Sequence, residues 1–130
     1  MLIITHLSLM TIALGCFAAG IGMAMFGRRK KNWLGIHKRL NSAGEILLMA
    51  GGAAAFLNVV ASEGLHLSGP HQWFGLTTVI LCTLTWGLGF YFLKVRNQTT
   101  LRAAHRWLGR SAFVVMLSAL VLGLRMIGIF

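Results

Sequence analysis

The sequence predicts an all-α protein: a transmembrane four-helix up-down bundle with both termini outside. Three observations predict it. The 130 residues are 57% hydrophobic with a mean hydropathy of +0.77, well beyond an ordinary soluble domain. Residues 2–26 and 71–93 hold no Asp, Glu, Lys or Arg, residues 40–62 hold only Glu45, and a last run from about residue 100 keeps its charge at its two ends. Each run exceeds the 18 or so apolar residues of a spanning helix. Finally, the net charge of +10 is concentrated. Of the twelve Lys and Arg, all but Arg125 lie in two patches: Arg28, Arg29, Lys30, Lys31, Lys38 and Arg39, then Lys94, Arg96, Arg102, Arg106 and Arg110. The patches flank the first and third connections, which four spans place on one side, and the second connection, residues 62–70, has no Lys or Arg. The positive-inside rule puts both basic loops in the cytoplasm. The charge thus orients a membrane protein, and no nucleic-acid partner is expected.

The first helix is expected over residues 2–26. Its basic residues follow the apolar run, whereas a cleaved signal peptide carries them before it, so it reads as a retained span. The second is expected over 33–61. Ser62-Glu63-Gly64 and Ser68-Gly69-Pro70 are loop material, with Ser68 as N-cap and Pro70 in the first turn of a third helix over 70–93. Asn97-Gln98-Thr99-Thr100 breaks the chain and caps a fourth helix over 100–128. No linker is visible, so residues 1–130 read as a single transmembrane domain. A spacing of 34 residues recurs along it, but unbroken hydropathy excludes a solenoid, whose repeats need polar outer faces.

That spacing belongs to histidines. His71-Gln72-Trp73-Phe74-Gly75 recurs as His105-Arg106-Trp107-Leu108-Gly109, and His37 stands 34 residues before His71. His6, His37, His71 and His105 each lie near the start of an apolar run. In up-down topology His6 and His71 share the outer level, and His37 and His105 the inner. The level of His37 falls near residue 22 of the first helix, about 24 Å below His6 at 1.5 Å per residue. Ionisable side chains inside spans are costly and mark function, and neutral imidazole binds iron, zinc or copper. A zinc site needs further ligands, which neither level offers, whereas two facing imidazoles suffice for a haem. Positions seven and fourteen after each histidine are small: Ala13 and Gly20, Gly44 and Gly51, Thr78 and Thr85, Ala112 and Ala119. Such stripes leave room for a planar ligand, although close helix packing gives the same pattern. Cys16 and Cys82 are mid-span and outside any Cys-x-x-Cys-His context, so two non-covalent b haems are expected, with His6 and His71 on the outer iron and His37 and His105 on the inner.

Propionates need cationic partners near the surface. Lys38, Arg39, Arg102, Arg106 and Arg110 are candidates inside, and Arg125 is the candidate outside. His66 reads as a polar loop residue. Glu45, the one acid within a span, lies about 12 Å along the helix from His37. It suggests a rival reading, a small proton-coupled multidrug transporter, which leaves the histidine placement unexplained.

The chain resembles the four-helix core of the cytochrome b561 family, the transmembrane ascorbate and ferric reductases. His6-Leu7-Ser8-Leu9-Met10 resembles the family's opening histidine with a methionine soon after. His71-Gln72-Trp73-Phe74-Gly75 resembles its His-Ser-Trp-Leu-Gly, and His105 with Gly109 resembles the last ligand and its glycine. The resemblance implies ligands pairing first helix with third and second with fourth, and a b-type cytochrome oxidoreductase carrying electrons from a donor on one face to an acceptor on the other. It also implies a donor site of basic residues near the inner haem, here Lys31, Lys38 and Arg102. The chain departs from the family in lacking two outer helices, in Leu7 where a proline often follows the first ligand, and in Asn41 where a second histidine is common. These departures leave the donor open between ascorbate and another reductant such as quinol. Expected partners are the lipid bilayer, a small-molecule or protein donor and acceptor, and a second copy or a larger membrane complex, in which the chain could serve as a haem-bearing anchor subunit. The expected location is a bacterial inner membrane.

Overall fold

In the computed structural model, which describes residues 1–95 and 99–129, the chain is four α-helices. They are α1 (Leu2–Phe26), α2 (Trp33–Ala61), α3 (Pro70–Phe92) and α4 (Thr99–Met126), and no strand occurs among the described residues. All four are long and apolar enough to cross a membrane. Even α3, with 23 residues, reaches about 35 Å against a hydrocarbon core of about 30 Å. The reason is backbone hydrogen bonding. A span can satisfy its amides only within itself, and the chain's one proline, Pro70, sits at a helix start.

The helices form two compact units, Met1–Gly64 and Leu65–Phe130, each an antiparallel hairpin. In the first, α1 packs on α2 through Ala13, Phe17 and Gly20 against Gly44, Leu48, Gly51 and Ala54, all buried. A Cβ on Gly44 would stand 3.2 Å from the Phe17 ring, so the glycine admits the aromatic into the seam. In the second, Thr78 and Cys82 of α3 meet Ala112, Met116 and Ala119 of α4. Thr78 turns its hydroxyl back to the Phe74 carbonyl at 2.8 Å, which lets a polar residue lie in an apolar seam. Seven of the eight small positions that follow the histidines are thus buried between helices, and Thr85 is half-buried. Within each hairpin these positions serve close helix packing. Large residues such as Ile4, Ile46, Leu57, Ile80 and Val114 face outward, as spans in lipid require.

The helix ends differ in detail from expectation. Gly69, not Ser68, is the N-cap of α3, with Pro70 in its first turn. The Ser68 amide instead donates to the Gln72 side chain at 2.8 Å, so one loop donor is satisfied from inside the helix. Helix α2 closes in a Schellman motif: Gly64 N–H reaches Val59 O at 3.0 Å and Glu63 N–H reaches Val60 O at 3.2 Å. The left-handed residue there is Glu63, with φ 51°. Helix α4 ends the same way at Gly128, φ 74°, with Ile129 N–H on Leu124 O. After α1, Arg28 donates to Ala24 O at 2.6 Å and lies 5.9 Å over Trp33, bracing the short first connection. Arg96, Asn97 and Gln98, which include most of the expected break before α4, fall outside the described residues.

Candidate functional site

Each of the four span histidines reaches across its hairpin. His6 Nδ1 lies 2.9 Å from Gly51 O, and His37 Nδ1 lies 2.8 Å from Gly20 O. His71 Nδ1 lies 2.9 Å from Ala119 O, and His105 Nδ1 lies 3.0 Å from Thr85 O. A carbonyl only accepts, so in each case Nδ1 is the protonated donor. In the neutral ring Nε2 then carries the lone pair. This is how metal-binding imidazoles are held: the second nitrogen is committed to the protein, which fixes ring direction and raises basicity.

The acceptors follow a rule. Gly20 is fourteen residues after His6, Gly51 fourteen after His37, Thr85 fourteen after His71, and Ala119 fourteen after His105. The bonds are therefore reciprocal, each helix giving a histidine at one level and a carbonyl at the other. The two levels of a hairpin are fourteen residues, or about 21 Å, apart. The register is two residues tighter than expected, since His37 stands level with Gly20 rather than with residue 22. Neither hairpin can bring its own two histidines to one iron.

A helical carbonyl already takes the N–H four residues on, so the imidazole must use its second lone pair from the side. The Cβ of that fourth residue points back over the oxygen. All four such residues are small: Ala24, Ala55, Gly89 and Gly123. Asn41 completes the His37 level. Its amide donates to His37 O at 2.7 Å, approaches Nδ1 at 3.1 Å, and lies in the space a Cβ on Gly20 would need. The Nδ1 proton goes to Gly20 O, because an amide nitrogen cannot accept it. The Phe92 and His105 rings meet in a T-shaped pair at a centroid distance of 5.3 Å.

The basic candidates are placed as follows. Arg125 and His71 line one cavity of about 290 Å³ with Pro70, Leu122 and Met126, so the structure brings these two together. Lys31, Lys38, Arg39, Arg102 and Arg106 are exposed at the loop ends of their hairpins, near the His37 or the His105 level. Arg110 stands 5.1 Å over the Trp107 ring, on the side of α4 turned from His105. Glu45 is buried in the α1–α2 seam, 7% exposed, and Cys82 is buried in the α3–α4 seam. Sequence reasoning singled out the histidines, noted Asn41 only as a departure from the resembled family, and passed over Gly89 and Gly123. A signal for the glycines existed, since each lies four residues after a small position already in the register.

The donor set fits haem. Four imidazoles are oriented through Nδ1 as metal-binding histidines are, and among the described residues no three His, Cys, Asp or Glu side chains gather as a closed zinc site needs. No curated protein and no solved structure matches the chain. The family model described as eukaryotic cytochrome b561 matches residues 1–130. That description is of eukaryotic proteins and gives no support to the bacterial inner membrane expected from the sequence. With four membrane-spanning helices, and a match over its whole length, the chain belongs to the cytochrome b561 family, a family of transmembrane haem-mediated electron transfer.

Proposed function

We propose that the chain carries electrons across a membrane between a donor on one face and an acceptor on the other. His6 and His71 hold one b-type haem at the level of the chain termini, and His37 and His105 hold a second at the level of the basic loops. The observation that carries this reading is the set of four Nδ1–H···O=C bonds. They hold the two imidazoles of each hairpin about 21 Å apart, too far to share one iron, which supports a pairing of one ligand from each hairpin. A haem held by two of these imidazoles would supply one-electron iron chemistry, suited to electron transfer rather than oxygen binding.

The rest is done by the chain's own residues. Carbonyl-bonded imidazoles donate more electron density, favour the ferric state and hold the ligand angle. Arg125, sharing a cavity with His71, neutralises a propionate at that level. Arg102 and Arg106, within about a third of a turn of His105, and Lys38 beside His37 serve the other level better than Arg39 or Arg110. Lys31, Lys38 and Arg102, exposed at the basic loop ends, are the candidates for attracting an anionic donor on the face that the positive-inside rule assigns to the cytoplasm. The outward apolar surface suits a homodimer or a larger membrane complex.

Haem quantitation on the purified protein, with reduction by ascorbate, a quinol and dithionite, tests this reading. Two low-spin b haems per chain, at least one reduced by a physiological donor, is the expected result. A protein that binds no haem, or one per chain, contradicts it.

A further inference from the structure

The geometry points to Gly123 and Gly89 as positioning residues for His71 and His105, an inference that rests on the haem reading above. A Cβ on Gly123 would stand 2.8 Å from His71 Cε1 and 3.1 Å from Nδ1. One on Gly89 would stand 3.0 Å from His105 Cε1 and 3.4 Å from Nδ1. Contacts under 3.0 Å are not found at real Cβ atoms, so alanine at 123 displaces the ring, and alanine at 89 presses on it. Neither glycine has a positive φ, so backbone freedom does not explain them. Both are four residues after the carbonyl that the same histidine bonds, where a Cβ would lie over the oxygen. The ring occupies the space of the missing side chain.

The hairpins differ here. Ala24 and Ala55 hold the corresponding positions for His37 and His6. Each haem thus has one ligand seated on alanine and one on glycine, and the glycine-seated ring lies against the backbone of its neighbour. Alanine at position 123 must turn the His71 ring, lengthen its bond to Ala119 O, or both. A turned ring would present its Nε2 to a haem iron in a different direction. A weaker Nδ1–H···O bond makes the imidazole a poorer donor, which disfavours ferric iron and raises the midpoint potential.

The test uses the haem-loaded protein with three variants: Gly123→Ala, Gly89→Ala, and Gly87→Ala as control, whose Cβ would meet nothing within 4 Å. Low-spin EPR g values and redox titration are recorded for both haems. Gly123→Ala should shift the g values and raise the potential of the haem that His71 binds, leaving the other unchanged. Gly89→Ala should do the same, to a smaller extent, at the haem of His105, and it carries the test if the stronger substitution costs folding. Selective loss of that one haem counts equally in favour. Unchanged spectra and potentials in both variants, or equal changes at both haems, overturn the assignment. That result is distinct from a parent protein without haem, which would remove the functional reading itself.

Discussion

At the scale of single residues, the decisive atoms are four imidazole Nδ1 nitrogens and the four carbonyls that hold them. The histidines were legible in the sequence because ionisable side chains stand out in apolar runs. The carbonyls were not, since a backbone oxygen has no letter of its own; only the smallness of Gly20, Gly51, Thr85 and Ala119 hinted at it. Arg125 is the residue whose placement adds most. The sequence offered it as the outer propionate partner, and in the structure it lines the same cavity as His71. A cation there favours the reduced iron, which carries less positive charge. We expect Arg125→Gln to lower the potential of the His71 haem by on the order of 40 mV, equivalent to about 1 kcal/mol for a partly screened charge. The other haem should hardly move. Separate redox titration of the two haems checks this, and equal shifts would return Arg125 to the headgroup region.

At the scale of elements, the four helices followed from hydropathy to within two residues, while their caps did not. A cap depends on one or two dihedral angles and on which donor finds which acceptor. Thus Ser68 has the right chemistry for an N-cap, yet Gly69 occupies the position and Gln72 bonds back to Ser68 N–H. Glu63 is the sharper case, a carboxylate side chain at the left-handed position that Gly128 fills in α4. A residue with a Cβ pays about 1 kcal/mol there. Glu63→Gly should therefore stabilise the first hairpin by about that amount, less the entropy that glycine adds to the unfolded chain. Denaturant unfolding in detergent, followed by helical circular dichroism, measures it, and a destabilised variant would mean that Glu63 makes contacts worth more than its strain.

At the scale of the whole molecule, the sequence foresaw the order of spans because charge and hydropathy alternate over twenty-residue lengths. It could not foresee that the small stripes lie inside each hairpin, because a helical face reads the same whether it meets a helix or a ligand. The small residues draw each pair of helices close enough for an imidazole to reach the opposite backbone. The cytoplasmic placement we propose for the basic loops rests on the positive-inside rule and is open to direct test. A cysteine introduced at positions 28–31, or at Thr100, should react with an impermeant thiol reagent only from the cytoplasmic side, and one at Glu63 only from outside. Cys16 and Cys82, within spans, should stay silent. The opposite labelling would exchange the donor and acceptor faces.

The central claim is that two irons are each shared between the hairpins, and haem content in four single variants tests it most directly. His6→Ala and His71→Ala should each deplete one and the same haem, identified by its potential and EPR signal. His37→Ala and His105→Ala should each deplete the other. If His6→Ala and His37→Ala remove the same haem, the two levels are not separate sites and the pairing is wrong.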